Sequence, residues 1–424
     1  MNAINFSCQG ESHIATGKIC QDYSYSKVYE NGKTIAIVCD GHGGKRYFRS
    51  DIGAKIAAEV TEQKVTAFIE AVGTTLLSGT KLTERAAIST QIDNREFDKQ
   101  SPTERAFRQL FGSIIYEWNI LVAEHAKATP ISEEEKSGLE ERWITEFEKG
   151  DSLEKVYGCT LIVYASTPAF WFAFQIGDGK CFAVDQNGNW SEPIPWDERC
   201  FLNKTTSICD SGAIDEFRYC YEGDGGFPMA IILGSDGIDD SFGAEENQEN
   251  FYVQILKSLV KEGLEATITE IETTLPQLSK IGSQDDMSIA MVYNQSQIDE
   301  AYPRLIEWQI CNVKRQIADE NEKIAKANKI QQTLDSVEHP TRQNIIDLQY
   351  ANADEKRAIE SRSKLQGRLD TLLVELNGNA KEEVSEKDEV CDSEEVAKNE
   401  NIAPVKEDSD EDLSKDTSEE QSAE

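Results

Sequence analysis

Four apolar runs of this chain each meet an aspartate, and this repetition limits its possible folds more than any other feature of the sequence. The runs have the length and the β-branched and aromatic content of strands. Glycine, which permits backbone conformations closed to other residues, or a second acid accompanies each aspartate. The four junctions are Thr34–Cys39 with Asp40-Gly41-His42-Gly43-Gly44, Phe170–Ile176 with Gly177-Asp178-Gly179-Lys180, Met229–Gly234 with Ser235-Asp236-Gly237-Ile238-Asp239-Asp240, and Asp285-Asp286 with Met287–Tyr293. The sequence therefore predicts a sheet core with acids at its strand ends.

Two long helical periods lie between the first strand and the later ones. Asp51–Val72 and Glu104–Ala128 carry apolar residues at a spacing of three to four. Gly158–Ala165 reads as a further strand. Strands and helices do not alternate regularly, as they would in a doubly wound parallel sheet. We therefore expect an α+β fold with antiparallel sheet packing.

The composition changes near residue 297, where the strands stop. Residues 304–378 are rich in Ala, Glu, Lys, Gln, Ile and Leu, and His339-Pro340 divides them into two helical periods. Because proline cannot continue a helix, we predict a helical hairpin or antiparallel coiled coil. It either packs on the preceding domain or binds a protein partner. The segment 379–424 is predicted to be a disordered tail, since Lys381–Glu424 holds 18 acidic and 5 basic residues.

Charge and composition exclude several classes of function. A formal net charge of -35 disfavours binding to nucleic acid or to an anionic membrane. The N-terminus lacks the features of a signal peptide, and no apolar run is long enough to span a bilayer. We expect a soluble, cytoplasmic protein. The ten cysteines are scattered and suit buried free thiols better than disulfides or a zinc site.

Aspartates gathered at one edge of a sheet would repel one another unless cations neutralise them or their pKa values rise. Mg²⁺ and Mn²⁺ prefer such oxygen ligands, and two ions ~4 Å apart can stabilise an in-line displacement at phosphorus. His42 stands two residues from Asp40 and suits a general acid that protonates a departing alkoxide. A single Asp-Gly pair is more often a turn or a helix cap. The repetition favours a metal-dependent phosphohydrolase.

The ordered set of motifs resembles the metal-dependent protein phosphatases, the type-2C serine/threonine family, over about residues 5–295. The motifs are Gln21-Asp22, Asp40-Gly41-His42-Gly43-Gly44, Gly158-Cys159-Thr160, Gly177-Asp178-Gly179, Ser235-Asp236-Gly237 with Asp240, and Asp285-Asp286-Met287-Ser288. The resemblance implies a phosphatase domain over 1–297, built as a central antiparallel β-sandwich flanked by helices. It also implies two Mn²⁺ or Mg²⁺ ions at one end of that sandwich.

The resemblance assigns roles to the acids that would bind these ions. Asp40 resembles the carboxylate that bridges both ions, and Gly41 resembles the residue that offers its carbonyl oxygen to one of them. Asp236 and Asp285 resemble further ligands. His42 occupies the position of the proposed general acid.

Three further acids resemble supporting residues of the family. Asp22 and Asp240 resemble acids that hold waters of the ions. Asp178 is similar in place to the acid that helps bacterial members to hold a third, weaker ion.

One departure from the family pattern concerns the substrate phosphate. Many members place a phosphate-binding arginine five residues before the acid that aligns with Asp22, and this chain has Gly17 there. Lys18 or His13 is a candidate replacement, and the pattern resembles a bacterial branch that lacks the arginine.

The resemblance implies a signalling enzyme that hydrolyses phosphoserine and phosphothreonine in phosphoprotein substrates by a water that bridges two ions. The sequence leaves two alternatives open. One is a pseudophosphatase that acts as a phosphoprotein-binding scaffold, and the other is a phosphohydrolase for small molecules.

Overall fold

The structure, a computed structural model, describes residues 1–87, 100–201, 204–337 and 339–398, with side chains up to residue 378. In these residues two antiparallel sheets pack face to face, and helices cover their outer faces. The five-stranded sheet has the order β1-β11-β10-β7-β8 and the six-stranded sheet has the order β2-β3-β5-β6-β9-β4. The strands are β1 Asn2–Cys8, β2 Tyr23–Val28, β3 Thr34–Cys39, β4 Thr83–Arg85, β5 Leu161–Ser166, β6 Trp171–Ile176, β7 Lys180–Val184, β8 Trp190–Ser191, β9 Arg218–Glu222, β10 Ala230–Gly234 and β11 Met287–Tyr293. The predicted α+β class is confirmed.

The helices fall into groups on the two outer faces, with short ones in the connections. They are α1 Glu11–Thr16, α2 Ser50–Val72, α3 Pro102–Ala128, α4 Glu133–Gly138, α5 Glu141–Lys149, α6 Leu153–Val156, α7 Asp236–Asp239, α8 Glu245–Lys261, α9 Leu264–Ile281, α10 Gln295–Asp335 and α11 Arg342–Lys398. The long helix α3 begins with a capping box in which Ser101 and Glu104 bond each other's backbone N–H groups. Both long helices predicted from the sequence start within two residues of their predicted positions.

Three apolar layers hold the sandwich together. Alternate residues of one strand serve two of them: Ile35 and Ile37 face α2 and α3, whereas Ala36 and Val38 face the opposite sheet. A third layer joins the five-stranded sheet to α8, α9 and the start of α10. Because both faces of β3 are buried, its sequence is continuously apolar and does not alternate. This explains why β3 was readable from the sequence.

The first turns of the helical hairpin are part of this third layer, and no linker separates the two. Helix α10 begins at Gln295, just after β11, and Ile298, Ala301 and Leu305 of its first turns belong to the apolar core. The predicted boundary between 297 and 304 therefore falls inside one helix. The connection between α10 and α11 lies next to Pro340, as predicted.

The chain divides between Leu372 and Leu373 into two compact units. In the second unit, the structure describes the continuation of α11 to Lys398, which is past the predicted start of the tail at 379. The predicted disorder of residues 399–424 lies outside the described part of the chain and stays a prediction. The described cysteines are free thiols, as expected. Where the chain is described, its helices are too short or too polar to cross a bilayer.

Candidate metal centre

Strand register brings the predicted acids to one edge of the sandwich. In the six-stranded sheet Tyr23 lies opposite Cys39, so that Asp22 and Asp40, the neighbours of these two residues, meet at the same strand ends. In the five-stranded sheet Lys180 lies opposite Gly234, which brings the loop of Asp178 beside the start of α7. The two sheets then contribute acids to the same end of the molecule.

Three of these acids form one group that could hold a cation. Asp40, Asp178 and Asp236 each offer a carboxylate oxygen, and the three oxygens lie within 4.8 Å of one another. The resemblance assigned Asp178 to a third ion, whereas the geometry groups it with Asp40 and Asp236.

A second group lies beside the first. His13, Asp285 and Asp286 also offer ligand atoms within 4.8 Å of one another. The negative charge of Asp285 raises the pKa of both Asp40 and Asp236, so the two groups are electrostatic neighbours. Asp40, Asp236 and Asp285 thus lie in two neighbouring groups, and their use as ligands of one centre stays a prediction.

Burial and mutual repulsion act together on the acids of this centre. Burial raises the pKa of Asp40 well above its ordinary value, and the charge of Asp22 raises it further. Burial raises the pKa of Asp236 in the same way, followed by the charges of Asp40 and Asp178. For Asp22 the second cause is the charge of Asp286. Divalent cations would remove this repulsion, which is the electrostatic requirement that the sequence predicted.

Unpaired carboxylate oxygens supply a second test of whether cations fit. Oδ2 of Asp22 and Oδ1 of Asp178 are buried and have no hydrogen-bond partner in the protein. A buried acceptor without a partner is costly. An oxygen-rich donor set with free lone pairs suits Mg²⁺ or Mn²⁺, which take oxygen ligands and retain several waters. The residues present therefore fit the ions that the resemblance implies.

Two glycines allow the acid-bearing segments to approach closely. A Cβ on Gly41 would lie 2.3 Å from the backbone oxygen of Gln21, and a Cβ on Gly237 would lie 2.0 Å from the backbone oxygen of Asp286. Any larger residue would push the segments apart. Asp40 is fixed on its other side by Thr160, whose Oγ1 accepts a hydrogen bond of 3.1 Å from the Asp40 N–H. The use of the Gly41 carbonyl as a ligand stays a prediction.

Asp240 lies outside the two groups but interacts electrostatically with members of both. Asp240 follows α7, and its N–H donates a hydrogen bond of 2.7 Å to the Asp236 carbonyl oxygen. Burial and the charge of Asp285 raise the pKa of Asp240. The pKa of Asp178 is raised by burial and, in part, by the charge of Asp240. Asp240 thus lies within electrostatic reach of both groups.

His42 lies against the same edge but is largely buried. Its ring packs edge-on against Tyr47 with 4.8 Å between ring centroids. A Cβ on Gly158 would lie 2.9 Å from the ring, so Gly158 makes room for the imidazole. Burial lowers the pKa of His42 to about 4, and Lys155 also lowers it. A ring with that pKa is neutral at pH 7, so a role as a general acid requires a nearby anion such as a phosphate.

The two candidate phosphate ligands differ in their surroundings. His13 is buried, and its Nδ1 lies 2.9 Å from Oδ1 of Asp286. Lys18 is exposed, and its Nζ donates a hydrogen bond of 3.0 Å to the Gly43 carbonyl oxygen in the loop after Asp40. Only Lys18 of the two therefore presents its charge to solvent at the edge of the centre.

Asp286 is a supporting residue that sequence reasoning missed. Its Oδ1 accepts hydrogen bonds from the Gly10 N–H at 2.6 Å and faces His13, and its Oδ2 accepts one from the Gln21 N–H at 2.5 Å. These contacts tie the segment before Asp22 to the start of β11. The only signal in the sequence was that a second acid follows Asp285.

The sequence of this chain matches the model of one known protein family. A family model described as protein phosphatase 2C matches residues 9–272. No curated protein sequence matches significantly.

The solved structures that this chain matches share little sequence with it. The serine/threonine phosphatase Stp1 from Staphylococcus aureus is 13% identical, with 69% of this chain and 95% of that chain covered and a TM-score of 0.40. PppA, a key regulatory component of T6SS in Pseudomonas aeruginosa, is 14% identical, with 69% and 96% covered and a TM-score of 0.40. A C. elegans sex determining protein is 12% identical, with 71% and 67% covered and a TM-score of 0.41.

Replacing Asp236 by asparagine should stabilise the ion-free protein and abolish its stabilisation by Mn²⁺. Because the folded-state pKa of Asp236 is raised above 3.8, the folded state binds more protons than the unfolded state above that pH, and stability falls as pH rises. We expect Asp236→Asn to raise the Tm in EDTA at pH 7.5 by at least about 2 °C. Thermal unfolding with EDTA and with Mn²⁺ measures both effects.

The exposed Asp319 on α10 provides the control, since Asp319→Asn should leave both Tm values unchanged. A lower Tm in EDTA together with an undiminished Mn²⁺ response would contradict the assignment of Asp236 to a cation site.

Removing the Asp286 carboxylate should detach the N-terminal segment from the candidate metal centre. Asp286→Ala leaves the N–H groups of Gly10 and Gln21 without their acceptor, which should cost about 2–5 kcal/mol of unfolding free energy. Urea unfolding measures the loss, and a Mn²⁺ titration should show weaker binding because Asp22 is no longer held. The unfolding free energy of Asp286→Asn, which retains one acceptor oxygen, should lie between those of the unaltered protein and the alanine variant. A change below about 1 kcal/mol in the alanine variant would disprove the anchoring role.

Proposed function

Since this chain belongs to the protein phosphatase 2C family, whose model matches residues 9–272, we propose that it hydrolyses phosphoserine and phosphothreonine in proteins with two Mn²⁺ or Mg²⁺ ions. The observation that carries the proposal is the carboxylate group of Asp40, Asp178 and Asp236, within 4.8 Å, beside the second group that contains Asp285. When bound, two such ions would acidify a bridging water and neutralise the charge that develops on the phosphate.

The chain's own residues hold and surround these ions in the proposal. Asp40 would hold both ions, Asp236 and Asp285 would add further ligands, and the Gly41 carbonyl oxygen would be a ligand of one ion. In support, burial raises the pKa values of Asp40 and Asp236, and neighbouring carboxylates such as those of Asp178 and Asp285 raise both further, so positive charge would be stabilising there. A third ion would share Asp178.

Asp22 and Asp240 are proposed to accept hydrogen bonds from the waters of the ions. Supporting residues of this kind orient the ligands and tune their basicity. The buried and unpaired Oδ2 of Asp22 is an acceptor available for that purpose.

His42 is proposed to give a proton to the serine or threonine oxygen as it leaves the phosphorus. In the free protein burial lowers its pKa to about 4. A dianionic phosphate close to the ring would favour the charged imidazolium and raise that pKa toward neutrality. Substrate binding would then prepare the acid that the reaction consumes.

Lys18 is proposed to bind the substrate phosphate in place of the arginine absent at Gly17. Its Nζ is held near the Asp40 loop by the Gly43 carbonyl oxygen. Its backbone is fixed as well, because the Lys18 N–H donates to the His13 carbonyl oxygen at 2.9 Å. The buried contact of His13 with Asp286 thus serves to position Lys18.

A phosphoprotein of a reducing compartment such as the cytoplasm is the proposed substrate. The described cysteines are free thiols, which suit that compartment. The hairpin of α10 and α11 is the proposed site for a protein partner.

Turnover should require both the ions and the acids that hold them. We expect Mn²⁺-dependent phosphate release from phosphoserine and phosphothreonine peptides, and a loss of at least about 100-fold in kcat in Asp40→Asn and Asp236→Asn. Asp319→Asn should remain fully active. Phosphopeptide binding without release would instead identify a scaffold, and faster turnover of free phosphosugars or nucleotides would identify a small-molecule phosphohydrolase.

Loss of the Lys18 amine should weaken the use of substrate without affecting the ions. We expect Lys18→Ala to lower kcat/KM for phosphopeptides about tenfold, since charged hydrogen bonds contribute about 1.5–3 kcal/mol. The Mn²⁺ concentration needed for half-maximal activity should not change. Lys55→Ala, which removes an exposed lysine of α2, is the control. Equal kcat/KM in the Lys18 variant and the control would rule out phosphate binding by Lys18.

A further inference from the structure

Trp196 presents its indole ring to solvent from a firmly held part of the connection between β8 and β9. The side chain is 47% exposed, whereas the next residue, Asp197, is 5% exposed. The Pro195 carbonyl oxygen accepts a hydrogen bond of 3.2 Å from Nη1 of the buried Arg218. The Asp197 carboxylate accepts hydrogen bonds of 2.9 and 2.8 Å from Arg199. An exposed tryptophan on so rigid a backbone can bind a partner group with little loss of conformational freedom.

The Trp196 ring lies at the edge of the candidate metal centre. Nζ of Lys180 lies 4.9 Å from the centroid of the ring, and Lys180 begins β7 two residues after Asp178. The segment that follows Trp196 returns to the same turn, because Sγ of Cys200 donates a hydrogen bond of 3.6 Å to the Gly177 carbonyl oxygen. A peptide whose phosphate reached the acids of the centre would therefore place neighbouring side chains near Trp196.

Lys180 covers part of the ring but brings no unpaired charge to it. Its Nζ donates hydrogen bonds of 2.9 and 3.1 Å to the two carboxylate oxygens of Glu192. The Lys180 side chain is only 16% exposed. The ammonium group is therefore neutralised by its own partner, and the exposed part of the indole ring is left for another group.

The surroundings of Lys180 are acidic. Burial raises the pKa values of Asp239 and Glu245, whereas the charge of Lys180 lowers both, so these two carboxyl groups are its electrostatic neighbours. Glu249 is a further acid of this surface. Burial raises the pKa of Glu249 to about 7, and the charges of Glu245 and Glu246 contribute to that rise.

A count of both signs leaves an excess of negative charge around Trp196. The acids are Asp239, Glu192, Glu245, Glu246 and Glu249, and the cations that lower their pKa values are Lys180 and Arg315. Lys180 is paired with Glu192, and Nη1 of Arg315 lies 3.3 Å from Oε1 of Glu246. Within the described ranges of the chain, the other acids of this set form no salt bridge. Their carboxyl groups remain to attract a cation.

We propose that Trp196 and the acids around Lys180 bind an arginine or lysine side chain of the substrate, close in sequence to its phosphoserine or phosphothreonine. A guanidinium or ammonium group is attracted to the face of an indole ring. Carboxylates beside the ring add charge-assisted hydrogen bonds. The inference rests on the proposed function and names its substrate class, which is phosphorylation sites flanked by basic residues.

Paired phosphoserine peptides test this contact. Each pair carries either arginine or alanine at one position before or after the phosphoserine, and the position is varied from pair to pair. At one position or more, arginine should raise kcat/KM at least about fivefold over alanine, mainly through a lower KM, since the contact lies away from the bond that breaks. Trp196→Ala should reduce this ratio to about one. Trp196→Phe should retain part of the ratio, because the smaller ring attracts cations less strongly, and Glu245→Gln should lower it.

Matched replacements elsewhere separate recognition from damage to the fold. Tyr116→Ala removes an aromatic side chain of α3 that is 68% exposed. Glu265→Gln removes an acid at an exposed position of α9. Both variants should keep the arginine-to-alanine ratio of the unaltered chain. Equal use of arginine and alanine peptides by the unaltered chain would overturn the inference and leave the proposed function intact. An arginine preference that survives in Trp196→Ala would overturn it as well.

Binding measurements keep this test separate from the test of the proposed function. If no phosphopeptide is hydrolysed, the proposed function fails, and the Kd of the same peptides, measured by calorimetry with Mn²⁺, takes the place of kcat/KM. The arginine peptide should then bind at least about fivefold more tightly than its alanine partner, and Trp196→Ala should remove the difference. A Kd that is independent of the arginine or of Trp196 would overturn the inference.

Discussion

Repulsion among buried carboxylates at one edge of the sandwich is the constraint on which the rest of the structure depends. Asp22, Asp40 and Asp236 all have pKa values raised by burial and by their neighbours, so the folded chain holds charges together that would separate if the backbone yielded. It does not yield because the strands behind these acids are buried on both faces and close-packed interiors resist deformation. The fold therefore holds carboxylates together at a place where bound cations would reduce their repulsion.

Close contacts between the loops and the strands make the loops rigid as well. The residues that form these contacts cannot be replaced by residues of another size or charge. Gly41 and Gly237 let backbone segments touch, and the Asp286 carboxylate joins the chain near Gly10 and Gln21 to the start of β11. Each contact links segments that are far apart in the sequence. The centre is therefore a property of the packed sandwich, and an isolated motif would not reproduce it.

The packing of the two sheets also explains which strands and site residues could be predicted from the sequence. Strands buried on both faces, such as β3 and β11, are almost wholly apolar and were predicted to within a residue, whereas β1 and β9 mix polar with apolar residues and were missed. The acids were found because they repeat beside strands. Their convergence depends on strand register across two sheets, which no local pattern encodes. The burial of His42, which lowers its pKa to about 4, is hidden for the same reason.

The change of composition near residue 297 marks where the chain leaves the sheets and enters α10. Leu305 of α10 still belongs to the apolar core, and the next turns are tied to α8 by hydrogen bonds of Gln309 to Asn250 at 3.0 Å and of Asn312 to the Glu246 carbonyl oxygen at 2.9 Å. Helix α8 is the next helix after α7, which carries Asp236, and α10 follows β11, whose start adjoins Asp285. The base of the hairpin is therefore joined on two sides to elements that lead to the candidate metal centre.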